Sequence, residues 1–227
     1  YDTLREELMA TVRQGGYDFG ANVIPAMLSR RRVQAYRFSG YWRDVGTLGS
    51  YWMANMDALS PASGLDLSAW KVCSNLSGRG QVYHPPAWFG DHASVAGSLV
   101  SRGSVIEGTV TDSVLSPGVH VGVGARVTAS VIMHDCHIEA GASVSFAIVD
   151  KDVTIGAGAC IGRPEITPGV NCRFPTHLSG GITVVGKGTH VPDHLVVGAN
   201  CLIGEGLQTT DFPTAKVADG ECVLPDA

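Results

Sequence analysis

The sequence is poor in charge. Only 16% of its 227 residues are charged, against a usual ~25%, and the formal net charge is −5. A nucleic-acid binder favours a basic face, so no nucleic-acid partner is expected. No apolar run approaches the ~18 residues of a membrane span, and no signal-peptide pattern opens the chain, so no membrane partner is expected either. The six cysteines (Cys73, Cys136, Cys160, Cys172, Cys201 and Cys222) form no C-x-x-C pair. A chain of this size needs no disulfide staples, so reduced thiols and a cytoplasmic location are the expectation. Glycine, by contrast, is abundant: 29 residues, about 13% where ~7% is usual. That mix suits a β structure with many tight turns.

The chain opens at Tyr1 in mid-pattern, on a helical run with no room for an earlier strand, and reads as a fragment or a processed product. Leu4, Leu8 and Val12 sit four apart, as one face of a short helix requires, and Gly15–Gly16 ends it. Asn22 is placed to cap a second short helix whose apolar face includes Ile24, Met27 and Leu28. Arg30, Arg31 and Arg32 close that helix, as a solvated end favoured by the dipole or as an anion site. Val33–Phe38 alternates apolar and polar residues like a half-buried strand. Then comes Gly40-Tyr-Trp-Arg-Asp-Val-Gly-Thr47, with Thr47 placed to cap a helix carrying Leu48, Tyr51, Trp52, Met56 and Leu59. A strand end, a short turn and a helix start together make a common placement for an α/β active site.

Pro61–Gly64 marks a break. Leu65, Leu67 and Trp70 suggest an apolar docking segment, and Ser74–Gly80 is small, polar and flexible in character. Trp88 and Phe89 are expected to plug the end of the next domain. From Ser98 the chain repeats. Ser113-Val-Leu, Ser130-Val-Ile and Ala147-Ile-Val are each seventeen residues apart, and Val121, Ile138 and Ile155 keep that period. Steps of five and six, with glycine at corners such as Gly118, Gly141 and Gly158, are the signature of a hexapeptide β-helix. The first coil is two residues short, and the deficit lies between Ile106 and Val110. Arg163–Gly180 reads as a loop leaving the coil. Val185, Val191, Val197 and Ile203 then restore steps of six, and an irregular C-terminal cap is expected from Gln208.

Asp18-Phe-Gly20 with Val23-Ile-Pro25, then Gly40–Thr47, then Tyr51-Trp-x-Ala-Asn-Met-Asp57 together resemble the glucose-1-phosphate adenylyltransferase family. The resemblance implies a mainly β chain: a left-handed parallel β-helix of hexapeptide repeats, preceded by the C-terminal remnant of an α/β nucleotidyltransferase domain. It implies residues 1–62 as that remnant, 63–92 as linker and docking segment, and 93–227 as β-helix. It also implies a reaction joining ATP and glucose 1-phosphate into ADP-glucose and pyrophosphate with Mg²⁺. Asp44 matches a catalytic carboxylate that helps hold the metal, Trp42 an aromatic beside the glucose, and Asp18 and Phe19 positions lining the sugar-phosphate pocket. The family's glycine-rich nucleotide loop and catalytic Arg and Lys have no counterpart here, so the chain alone is expected to be inactive. A tetramer of identical or different subunits and a sugar-phosphate effector are implied as well.

Plainer readings stand beside these. Asp44 suits a turn acceptor, Trp42 a core residue and Asp18 a turn former. A non-catalytic regulatory homologue is one alternative. A hexapeptide acyltransferase is another, with His120, His134, His137, His177, His190 or His194 as its base. A metal site at His134-Asp-Cys-His137 is disfavoured, because neighbours in a strand point to opposite faces.

Overall fold

The structure is a computed structural model that describes residues 1–72, 84–165, 168–212 and 216–225. Cys73, the Ser74–Gly80 linker and Tyr83 lie outside the described residues, as do two positions of the 163–180 loop. The chain forms two compact units, Tyr1–Gly40 and Tyr41–Ala227.

In the first unit, helix α1 (Asp2–Arg13) ends in the glycine pair as expected. Gly15 takes φ +79°, and the Gly16 and Gly15 amides donate to the Thr11 and Val12 carbonyls. This left-handed closure satisfies carbonyls that the helix end would otherwise leave open. The expected apolar face is not the buried one. Leu4, Leu8 and Val12 are exposed, while Glu7 is only 3% exposed and Thr11 is buried. The arginine run supplies the reason. Arg30 Nη2 donates to Glu7 Oε2 at 2.8 Å and Arg31 Nε to Glu7 Oε1 at 2.9 Å, with Arg31 Nη2 also on Glu6. A carboxylate can be buried when it is paired on both oxygens. Arg30 and Arg31 are thus a solvent-exposed helix end, as one reading expected, with Arg30 Nε also donating to the Ala26 carbonyl, and their charge is spent on Glu7 and Glu6.

The second short helix also differs in detail. A π-turn at Phe19–Val23 leads into α2 (Ile24–Leu28), and the cap is Asp18, not Asn22. Asp18 Oδ1 accepts the Ala21 amide, and Asn22 Oδ1 accepts the Asp18 amide. Two side chains thus satisfy each other's ends of the turn, as in a capping box. Val33–Phe38 forms no strand. Alternation alone does not make one, because a strand needs a ladder partner, and this segment finds none among the described residues.

The second unit is a parallel β-solenoid with three sheets of six, seven and seven strands. The seventeen-residue period is the ladder itself. Val121, Ile138 and Ile155 pair in register in the first sheet, and Val110, Val127, Val144 and Ile161 in the second. These residues stack inward and are fully or almost fully buried. The serines of the repeat serve the corners. Ser113 Oγ accepts the Ser130 amide and Ser130 Oγ accepts the Ala147 amide, both at 3.1 Å. Each hydroxyl donates in turn to the Thr111 or Thr128 carbonyl at 2.7 Å, so no polar group at that corner is stranded in the core.

The short corner falls where the spacing placed it. Ile106 pairs with Val121 and Val110 with Val127, so four residues step where the next coil takes six. Gly108 turns this corner, and a Cβ there would run into the backbone carbonyl oxygens of Ala125 and Gly122. Gly108→Ala should therefore destabilise the coils by about 1–3 kcal/mol, read as a lower urea midpoint. An unchanged midpoint would mean that the corner has room to relax.

The coils extend further than the repeat suggested. Trp88–Phe89 is not a plug but the first strand, paired with Val105–Ile106. Its side chains are about half exposed because no earlier described strand covers them. At the other end Lys216–Val217 and Cys222–Val223 continue the second and third sheets, so the region after Gln208 is not simply irregular. The excursion from Arg163 leaves after Cys160–Gly162 and returns at Thr183–Val185 without breaking the ladders.

Helix α3 (Leu48–Asp57) starts at a Thr47–Ser50 capping box. It packs on the outer face of the third sheet. Leu48, Tyr51, Trp52 and Met56 cover Val131, Ile148 and Ile182. Trp52 Nε1 donates to the Ala129 carbonyl at 2.8 Å, and its ring lies 4.7 Å from that of Phe146.

Candidate functional site

The segment joining Gly40 to α3 is extended, and its burial alternates. Tyr41 and Arg43 are half-buried, while Trp42 is 75% exposed and Asp44 is exposed. Alternating side chains of an extended segment point to opposite faces. Trp42 and Asp44 therefore share the outer face, and Tyr41 and Arg43 the inner one.

The inner pair meets the end of α3. Tyr41 Oη donates to Asp57 Oδ2 at 2.6 Å, and Arg43 Nε donates to the same oxygen. Tyr41 also meets Trp70 edge to face at 5.9 Å. The Tyr41 hydrogen bond, and then Arg43, hold the Asp57 carboxyl below its usual range, against a smaller opposing push from burial. The tyrosine hydroxyl is moved upward, by burial first and by the same hydrogen bond second. Asp57 thus fixes the segment from behind. Its place in the motif gave no hint of this role. The signal was the alternation of Gly40–Thr47, which sets an arginine facing inward where it needs an acid.

The sign of the pH dependence follows. A carboxyl with a lowered folded pKa contributes full stability above its ordinary value of ~3.9 and loses it as pH falls through the folded value. Asp57→Asn should destabilise the second unit at neutral pH, and the gap to the parent should close as pH drops below about 4. Urea titrations at several pH values read this. A gap constant across that range would remove Asp57 from acid sensitivity.

On the outer face, Asp44 Oδ1 accepts the Gly46 amide at 2.9 Å. The turn-acceptor reading is thus correct for one carboxylate oxygen. Trp42 is no core residue of this unit. In the first unit Asp18 is the cap described above and lines an open hollow with Thr11, Gly16, Tyr17 and Asn22. Phe19 is half exposed at the start of the π-turn. Asp18 and Phe19 thus belong to one unit and Trp42 and Asp44 to the other.

The coils offer little competing chemistry. Among the described residues no group of three His, Cys, Asp or Glu side chains is placed to hold a metal. Cys136 points into the core, and burial pushes its thiol up to about 12; it donates to the Asp150 carbonyl at 2.8 Å. His137 is exposed, so the His134–His137 run does not converge. His120 meets Glu107 at 3.1 Å and the His137 ring edge to face.

Comparison with known proteins matches this layout. A nucleotidyl transferase family model matches residues 5–60, and a "GlmU-like, C-terminal hexapeptide" model matches residues 85–185. A glucose-1-phosphate adenylyltransferase of Thermotoga neapolitana is 46% identical over 213 residues, covering 92% of this chain and 49% of its own length. One of Acetivibrio thermocellus is 35% identical over 240 residues, covering 99% of this chain and 52% of its own length. The chain is homologous to the glucose-1-phosphate adenylyltransferases. It spans about half the length of these curated relatives. The two family models meet the chain on either side of the linker, one on the helical N-terminal part and one on the coils.

Proposed function

We propose that this chain forms one wall of a site that joins ATP and glucose 1-phosphate into ADP-glucose and pyrophosphate. The observation that carries the reading is the outer face of Tyr41–Asp44: an exposed indole and an exposed carboxylate, two residues apart, on a segment fixed from behind by Asp57. The names of the relatives supply the substrates. Trp42 offers a flat apolar surface to a sugar face, and the family resemblance alone assigns Asp18 and Phe19, in the other unit, to the sugar phosphate.

Asp44 fits a Mg²⁺ role as a partial ligand. Mg²⁺ is typically held by one or two carboxylates together with substrate phosphates, and Asp44 already spends one oxygen on a turn. Bound there, the ion would neutralise phosphate charge as the bond to the α-phosphorus of ATP changes partners. Asp44 and Asp57 then work as a stack, one presenting the carboxylate and the other holding its backbone in place.

The remaining parts of the reading rest on the family resemblance of the sequence motifs. Residues 1–62 are the end of a nucleotidyltransferase domain, and the linker that starts at residue 63 ends before Trp88–Phe89, the first strand of the β-helix, rather than at residue 92. The coils frame and regulate the wall, within a tetramer of like or unlike subunits that answers to a sugar-phosphate effector. The five free cysteines among the described residues go with a cytoplasmic location. The match of residues 5–60 to a nucleotidyl transferase favours this reading over an acyltransferase.

The test is a Trp42→Ala variant assayed in a protein of the relatives' full length. KM for glucose 1-phosphate should rise about tenfold, equivalent to ~1.4 kcal/mol of binding, with KM for ATP little changed. An effect confined to ATP would move Trp42 out of the sugar site. The 227-residue chain alone should form no ADP-glucose; turnover by it would show that the site is complete without further residues.

A further inference from the structure

Two cysteines sit on neighbouring segments where the 163–180 excursion docks on the last coil. Cys172 is exposed on the excursion, and Cys222 lies half-buried in the final strand of the third sheet. Four contacts hold the two segments together. Arg163 pairs with Asp219 through Nε at 3.0 Å and Nη2 at 3.2 Å. Asn171 is fully buried and donates to the Glu221 carbonyl of the last coil at 3.4 Å, and to the Asn200 carbonyl of the coil before it at 2.8 Å. The Cys172 amide donates to the Gly220 carbonyl at 2.8 Å. The Cys222 thiol donates to Asn171 Oδ1 at 3.2 Å, on the residue that precedes Cys172. The excursion is thus docked with its one cysteine beside the only cysteine of the last coil.

We propose that Cys172 and Cys222 are a dithiol modification site that low-molecular-weight disulfides convert to an intrachain disulfide. The Cys172 thiolate, reached from solvent, attacks one sulfur of the reagent RSSR. A Cys172–SR mixed disulfide forms and RS⁻ leaves. The Cys222 thiolate then attacks Cys172 Sγ, closes the protein disulfide and expels the second RS⁻. The two thiol protons end on the two RSH molecules, so the net change is two protein thiols and RSSR going to one protein disulfide and two RSH. Exposure sets the order, because burial holds the Cys222 thiol in its protonated form more firmly. Closure would replace the Cys222–Asn171 hydrogen bond with a covalent tie between the excursion and the edge of the coils. Of the other coil cysteines, Cys160 is half-buried with its thiol towards the Gly158 carbonyl, and two are shielded outright. Cys136 and Cys201 are buried, and burial pushes their thiols up to about 12 and about 11.

The experiment is titration of the purified protein with oxidised glutathione, followed by peptide mass mapping without reduction. The expected result is a cross-linked pair of peptides holding Cys172 and Cys222, lighter by two hydrogens and reversed by dithiothreitol. Cys222→Ser should instead trap glutathione on Cys172, and Cys172→Ser should leave Cys222 largely unmodified. Resistance to cleavage at Arg173, rising with the cross-link in the unsubstituted protein, gives a readout that needs no variant. Stable glutathione on Cys172 with no cross-link in the unsubstituted protein would overturn the proposal, and so would a disulfide only between chains.

Discussion

Asp44→Asn, in a protein of the relatives' full length, should lower ADP-glucose synthesis on the order of a thousandfold, the loss typical when one preorganised electrostatic group is removed from a phosphoryl-type transition state. The substitution keeps the shape of the side chain. Its amide oxygen can still accept the Gly46 amide that Asp44 Oδ1 accepts now, so the turn into α3 should persist. What disappears is the negative charge available to a divalent cation. Because Asp44 is exposed, the change in folding stability should stay within the ~0.5 kcal/mol usual for surface substitutions. The expected signature is therefore a collapse of kcat with an unchanged melting curve. Raised Mg²⁺ should recover part of the activity if the loss lies in metal affinity. Near-normal turnover would leave Asp44 as a turn residue only.

The second large effect concerns the frame behind that wall. Trp52→Ala should cost about 3–5 kcal/mol. It removes the ring packed on Phe146, the cover over Val131 and Ile148, and the donor to the Ala129 carbonyl. Trp52→Phe keeps most of the packing and loses the donor alone, which should cost about 1 kcal/mol. Native-state hydrogen exchange reads the difference by location. Amides of α3 should exchange faster in Trp52→Ala, while those of the inner coil strands change less, because the core ladder of Val121, Ile138 and Ile155 does not touch the helix. Uniform acceleration through every coil would show that α3 and the solenoid open as one unit. Since Asp57 ends α3 and holds Tyr41 and Arg43, loosening the helix should also disorder the face that carries Trp42 and Asp44.

The coils were legible in the sequence because every turn obeys the same constraint. One apolar residue per side must enter a narrow core, so the pairing register appears directly as a period. Even the short corner at Gly108 was visible as a missing pair of residues. The ends were less legible because the rule relaxes there. Trp88–Phe89 and Lys216–Val217 are strands with a ladder neighbour on one side only, and they do not need the full inward pattern. In the first unit, local rules misled. Leu4, Leu8 and Val12 mark an apolar stripe, but two arginines more than twenty positions on claim Glu7 for the buried face, a long-range pairing that periodicity does not encode. Val33–Phe38 has the alternation of a strand and no partner to pair with. At the candidate site the motif located Trp42 and Asp44, whereas Asp57 as their support emerged only when the chain folded it against Tyr41 and Arg43.

The most direct test of the central claim is product analysis. A protein of the relatives' full length containing this chain is incubated with ATP, glucose 1-phosphate and Mg²⁺, and the nucleotide sugar and pyrophosphate are quantified together. The account predicts ADP-glucose and pyrophosphate in equal amounts, both abolished by chelating the metal and both reduced in parallel by Asp44→Asn. No ADP-glucose from a folded protein, or full yield with Asp44 replaced, would contradict it.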